Sequence, residues 1–304
     1  MAPTIEKVVQ NMELGEAPHW DIASQSLYFV DIYSKAINRF VPSTKTHTKA
    51  HLDHNVSFII PVEGEKNKFI VGLEKSIAII VWDGISDKVE EVKKLADVDG
   101  QSSDAESKLN DSKCDATGRL WAGTMGVEKT GNMISNKGHL YSFEKGVLNK
   151  HLDQIDISNG LTWSRDNKKF FHIDTPKPII YQYDFDISTG KLSNKKVHFT
   201  LTNSDGFPDG MTIDEEENLW VAVFGGYKIL KIDSKKPETL LSTIDLPAKQ
   251  VTSLAWGGQN LDELYVTSGK LTMAGEVLSP PDHGTLYKIT GTGSKGVPMY
   301  NCKV

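Results

Sequence analysis

The feature that most restricts what this chain can fold into is a repeat. Six short runs recur along its 304 residues: Leu27-Tyr28-Phe29-Val30, Phe69-Ile70-Val71-Gly72, Leu120-Trp121-Ala122-Gly123, Phe170-Phe171-His172-Ile173, Leu219-Trp220-Val221-Ala222 and Leu264-Tyr265-Val266-Thr267. Their starts lie 42, 51, 50, 49 and 45 residues apart. The runs are short, rich in aromatic and β-branched residues, and bounded by Gly, Asn, Asp and Pro, so they read as strands; helical periodicity is almost absent. A second strand often follows, as in Ala36-Ile37-Asn38-Arg39-Phe40 and His139-Leu140-Tyr141-Ser142-Phe143. A period of about 40–50 residues with several strands per unit is a propeller signature. One four-stranded sheet cannot bury both of its faces. Six packed around an axis can, and ring closure leaves few open sheet edges. A β-sandwich would give turn signals about every 8–12 residues without the longer period. The expected fold is all-β, a six-bladed β-propeller forming a single domain over residues 1–304, with no linker or composition shift to divide it.

Composition removes several function classes. The net charge is −6 with no window dominated by Lys and Arg, which argues against a nucleic-acid footprint. Cys114 and Cys302 lie far apart and form no CxxC, so free thiols in a reducing compartment are expected rather than a zinc ribbon or disulfide framework. No apolar run is long enough to span a membrane, and Met1 to Gln10 lacks a basic-then-apolar leader pattern. The expectation is a cytosolic protein, compatible with a monomer, acting on a small molecule.

Equivalent positions of a repeat sit at equivalent radii. The residues 10–12 positions ahead of the six marker runs are Glu16, Ser57, Asn110, Asn159, Asp209 and Ser253, all polar. Five are followed by largely apolar stretches, such as Gly160-Leu161-Thr162-Trp163 and Gly210-Met211-Thr212-Ile213; Asn110 is followed by Asp111-Ser112-Lys113. The apolar stretches read as innermost strands lining a central channel, with six polar residues converging at its mouth. Glu16, Asn159 and Asp209 together offer two carboxylates and an amide oxygen. An oxygen-only set of this kind suits Ca²⁺, Mg²⁺ or Mn²⁺, and three protein ligands leave positions open for water or substrate. The competing reading is that these groups cap the channel and bind only water.

Other motifs carry less. Gly291-Thr292-Gly293-Ser294-Lys295-Gly296 spells GxGxxG but lacks room for a following helix and strand. Asp97-Val98-Asp99-Gly100 begins like a calcium loop, yet Ser102 and Lys108 stand where Gly and Glu are needed. His19 adjoins a candidate ligand and reads as packing or support. Trp20, Trp121, Trp163 and Trp220 recur at repeat positions, as blade packing requires.

Five ordered segments carry a resemblance: Gly15-Glu16-Ala17-Pro18, Leu109-Asn110-Asp111, Gly118-Arg119-Leu120-Trp121-Ala122-Gly123-Thr124-Met125, Asp156-Ile157-Ser158-Asn159-Gly160-Leu161 and Pro208-Asp209-Gly210-Met211. In this order the chain resembles the senescence-marker-protein, gluconolactonase and regucalcin family from about Ile5 to Pro298. The resemblance implies a six-bladed propeller with one divalent cation held by Glu16, Asn159 and Asp209, Ca²⁺ first and Mg²⁺, Mn²⁺ or Zn²⁺ as alternatives. It implies that Asp209 doubles as general base, that Asn110 meets substrate or bound water, and that Glu128 contacts substrate. Members open sugar lactones, an animal branch is calcium-binding, and the branch most similar here acts on oxyluciferin, so the implied partner is oxyluciferin or a lactone. Lys108 departs from the family's usual Arg, offering a point charge instead of a planar fork. It is expected to orient substrate. Ser112 and Ala116 replace a usual Gly and Pro. These departures leave the ligand set intact; a flatter or more aromatic substrate than a sugar is consistent with them, and an ordinary sugar-lactone hydrolase stays open as the alternative.

Overall fold

The computed structural model describes residues 2–99, 106–129, 132–202 and 206–304, apart from the side chains of residues 128, 129 and 132. Every regular element among them is a strand. The strands pair antiparallel in sequential meanders. Gly15–Asp21, Ser26–Asp31, Ala36–Val41 and Thr46–His51 form the first unit; Val56–Pro61, Lys68–Leu73, Ser76–Val81 and Glu91–Asp97 form the second. Two eight-stranded sheets supply the rest, and each divides into two such meanders joined by one residue pair, Met125 with Ile157 and Phe224 with Gln250. The marker runs of the repeat are the second strand of each unit. The N-terminal strand Thr4–Val9 completes the last unit by pairing with Leu286–Thr290. A short hairpin, Glu128–Lys129 with Asn132–Met133, is inserted in the third unit.

The five expected apolar stretches, and the polar stretch after Asn110, are the first strands: Gly15–Asp21, Val56–Pro61, Ser107–Cys114, Ile157–Trp163, Phe207–Ile213 and Gln250–Gly257. They pack side by side in chain order, and the last packs on the first. The result is an all-β, propeller-like arrangement with these strands innermost.

Side chains of a strand alternate between its two faces, so a sheet covered on both sides needs consecutive apolar residues. The marker runs meet this need. Phe170 packs with Trp121 and Leu140 of the preceding unit, while Phe171 packs with Met211 and Leu219 of the following one. Leu27 and Phe29 face Tyr265 of the last unit, and Tyr28 and Val30 face Phe69 and Ile70 of the second. The tryptophans behave as packing residues. Trp20 stacks on Tyr265 at 5.5 Å, and Trp220 meets Trp256 edge-on at 5.1 Å. Buried indole N–H groups need acceptors. Asp115 accepts from Trp121 Nε1 at 2.9 Å and Asp214 from Trp220 Nε1 at 3.0 Å, equivalent positions of two units. The GxGxxG segment is a loop: a Cβ on Gly296 would lie 2.1 Å from Trp256, so the glycine serves close packing. No helix among the described residues is long and apolar enough to cross a membrane.

Candidate functional site

All six innermost strands carry a register shift near the position that the repeat singled out. In the third, fourth and fifth units the shift spans Leu109/Ser112, Ser158/Leu161 and Pro208/Met211, so Asn110, Asn159 and Asp209 lie within bulges. A bulge places an extra residue opposite its partner strand and re-aims the side chain. In the first unit the shift follows Glu16, and Ala17 takes φ 48° there. Glycine after two of the bulged residues lets neighbouring strands close up: a Cβ on Gly160 would lie 2.6 Å from Asp209 O, and one on Gly210 would lie 2.2 Å from Ser253 Oγ.

The bulges open onto a cavity of about 400 Å³. Glu16, Ser57, Asn110, Asn159 and Asp209 all line it, as does Lys108. Ser253 does not, which corrects the expectation of six converging residues. In the sixth unit the shift lies between Val251 and Ser253, so Thr252 takes the extra position and bonds to Gly15 O at 2.6 Å. Ser253 instead borders a small void further along the strands. The side chain of Glu128 lies outside the described residues; its backbone forms the inserted hairpin.

The polar floor is tightly bonded. Asn110 Nδ2 donates to Asn159 Oδ1 at 2.6 Å and to Ser158 O at 3.1 Å. Asn159 Nδ2 donates to Thr175 Oγ1 at 2.8 Å, and Thr175 Oγ1 donates to Pro208 O at 2.6 Å. Glu16 Oε2 accepts from Ala17 N at 2.9 Å.

Burial pushes the Glu16 carboxyl up to about 8; the nearby Asp111 adds to the rise and the Ala17 N–H opposes it. Burial also raises Asp209 well above the usual carboxylate range, with Glu16 and then Asp111 adding repulsion. Asp111 is itself raised by burial, and only Lys113 opposes the rise among the charged groups around it. Three acids thus crowd into a buried region, where Lys113 offsets Asp111. Such a field disfavours carboxylate charge unless a cation enters. Among the described residues no three His, Cys, Asp or Glu side chains gather as a ligating group. The set here is two carboxylates and an amide, and this oxygen-rich, negatively biased donor set fits a hard divalent cation.

Some residues of the site were not singled out by the sequence. Asp111 stands in a family-like motif but drew no role. Most of the cavity wall is apolar: Leu14, Ile32, Met125, Ile157, Phe207 and Phe224 contribute to it. These come from strand ends and loops of different units, where no repeat phase marks them. His19 lies away from the cavity. Its Nε2 is 3.0 Å from Asn301 Oδ1 and burial lowers its pKa to about 4, so it is a neutral packing residue, as expected.

A family model described as the SMP-30/Gluconolactonase/LRE-like region matches residues 14–270. The chain is 36% identical over 296 residues to regucalcin of Bos taurus, covering 96% of this chain and 95% of that protein. It is 32% identical over 295 residues to regucalcin of Danio rerio, covering 97% and 96%. Among solved structures it is similar to a luciferin-regenerating enzyme, with a TM-score of 0.93, 42% identity and 100% of both chains covered.

Proposed function

The chain belongs to the SMP-30/gluconolactonase/LRE-like family, and from that premise we propose that it is a metal-dependent, lactonase-type hydrolase converting oxyluciferin to 2-cyano-6-hydroxybenzothiazole. The family itself is of the hydrolase and lactonase kind. The six meanders are read as a six-bladed propeller over residues 1–304 with one cation near its axis. The single observation that carries the substrate class is the cavity. Crowded acids and an oriented amide form its floor, and Phe207, Phe224, Met125 and Ile157 line the walls above. A mostly apolar wall favours a flat heterocycle over a polyhydroxylated sugar, whose hydroxyls would lose hydrogen bonds to water there.

Glu16, Asn159 and Asp209 would hold the ion, Ca²⁺ in the first place, and when bound it supplies Lewis acidity toward a ring carbonyl. Asp209 takes the proton of the attacking water as general base. Lys108 orients the polar end of the substrate, with Glu128 and Asn110 as further contacts. The apolar walls hold the ring plane and exclude bulk water. Addition of water to the thiazolone carbonyl breaks the ring C–N bond, and the nitrogen gains a proton. The resulting thioimidate then loses mercaptoacetate as its C–S bond breaks, leaving the nitrile. One water is consumed and no oxidant is needed. The nitrile then condenses with D-cysteine to regenerate luciferin.

The test is chromatography of oxyluciferin reactions with protein stripped by chelator and then reloaded with Ca²⁺, Mg²⁺, Mn²⁺ or Zn²⁺. The expected result is nitrile and mercaptoacetate in equal amounts, only with metal, and neither with Asp209→Ala. Opening of a simple aldonolactone without attack on oxyluciferin would make the protein a sugar-lactone hydrolase. Calcium binding without any turnover would leave a regucalcin-like binding protein.

A further inference from the structure

We infer that Thr175 is a positioning residue for the cation site, and that its hydroxyl decides which end of the Asn159 amide faces the ion. The inference rests on the metal reading above. Thr175 ends the strand Lys169–Thr175, is buried, and borders the cavity. Its Oγ1 lies 2.6 Å from the Pro208 carbonyl oxygen. A carbonyl can only accept, so the single hydroxyl proton is committed to Pro208. Toward Asn159, 2.8 Å away, Oγ1 can then only accept. The amide must turn its NH₂ toward Thr175, and its Oδ1 is left to face the other way.

A second lock points in the same direction. Asn110 Nδ2 is held as a donor by Ser158 O at 3.1 Å and donates to Asn159 Oδ1 at 2.6 Å. The two partners bracket the amide from opposite ends. An amide's two ends are nearly the same size, so packing alone discriminates poorly between them, whereas an inverted amide would aim N–H donors at a cation. The same hydroxyl also ties the fourth unit to the backbone just ahead of Asp209, so one side chain orients one ligand and anchors the strand of another.

Thr175→Val keeps the shape and removes both hydrogen bonds, whereas Thr175→Ser keeps the hydroxyl. The readout is calorimetric Ca²⁺ binding to the full chain, with a metal-free unfolding curve for every variant. Loss of an outer partner of a ligand typically costs about 10–100-fold in metal affinity, and that loss is expected for Thr175→Val. Thr175→Ser is expected within about threefold of wild type, well short of that range. The decisive comparison is Thr175→Val in an Asn159→Asp background. A carboxylate presents oxygen at both ends and has no wrong orientation, so the valine should cost much less there.

Unchanged Ca²⁺ affinity in Thr175→Val overturns the inference. So does an equal loss in the Asn159 and Asn159→Asp backgrounds, or a loss in Thr175→Ser matching that in Thr175→Val. If Thr175→Val does not fold, Thr175→Ala carries the same comparison. A wild-type chain that binds none of Ca²⁺, Mg²⁺, Mn²⁺ and Zn²⁺ overturns the metal reading and this inference with it. Binding by wild type with no effect at Thr175 overturns the inference alone.

Discussion

Replacing Glu16 with glutamine should stabilise the metal-free protein at neutral pH while abolishing its affinity for a cation. The shape is preserved, and the glutamine carbonyl can still accept from Ala17 N–H, which lies 2.9 Å from Glu16 Oε2. What changes is the proton balance. The folded, metal-free protein keeps a proton on Glu16 up to about pH 8, whereas the unfolded chain releases it near 4.5. Between those values the folded state binds more protons. The contribution of this group to stability is therefore full below pH 4.5 and falls as pH rises toward 8. Each pH unit costs about 1.4 kcal/mol, so by pH 7 the loss approaches about 3 kcal/mol. Glutamine does not titrate and escapes that loss. The assay is urea unfolding in chelator at pH 5 and pH 7. The variant should exceed wild type by up to about 3 kcal/mol at pH 7 and by less than about 1 kcal/mol at pH 5. In excess Ca²⁺ the order should reverse, because ligand binding stabilises only the chain that binds. A difference independent of pH, or a chelated variant less stable than wild type at pH 7, would refute the reasoning.

Three further outcomes are expected. Gly210→Ala places a Cβ 2.2 Å from Ser253 Oγ and 2.6 Å from its backbone Cα; an overpacking cost of about 1–3 kcal/mol should appear in urea unfolding, with reduced turnover because Asp209 is adjacent. Phe224→Ala should raise KM for oxyluciferin severalfold with kcat little changed, since the ring lines the cavity wall and touches no reacting atom in the proposed scheme; a fall in kcat at constant KM would place it in the chemistry. His172 is buried beside Ser158 Oγ at 2.8 Å, and burial lowers its pKa to about 3. The folded state refuses a proton that the unfolded state accepts near 6.5, so this stability is present above that pH and lost below it, by about 3 kcal/mol at pH 4.5. His172→Gln should lack this part of the acid sensitivity, and parallel pH–stability curves for the two proteins would contradict it.

The repeat makes much of the candidate site legible in the sequence. A period near one blade length fixes the radius of each strand, and a polar residue placed ahead of an apolar run stands out against it. The repeat phase selects Glu16, Asn159 and Asp209 in this way, and all three line the cavity. The same logic misplaced Ser253, because side chains alternate and a one-residue change in where a bulge falls sends the next residue to a different surface. Six register shifts occur at comparable places, but the sixth leaves one residue, Thr252, between its paired flanks where each of the others leaves two, and composition does not reveal that.

By itself, then, the sequence determined what local patterning can encode: strands instead of helices, consecutive apolar residues for sheets covered on both faces, and oxygen-bearing residues in phase with the repeat. Tertiary structure decided what depends on closing the ring. Thr4–Val9 pairs with Leu286–Thr290 across nearly the whole chain, and Asp111 gains its influence only by lying near Glu16 and Asp209. The apolar wall gathers Leu14, Phe207 and Phe224 from separate units, and Thr175 reaches Asn159 and Pro208 only once neighbouring strands pack together. The physical reason is one of range. Strand propensity and alternation act over a few residues, whereas cavity walls, charge crowding and the orientation of an amide are set by groups that folding brings together.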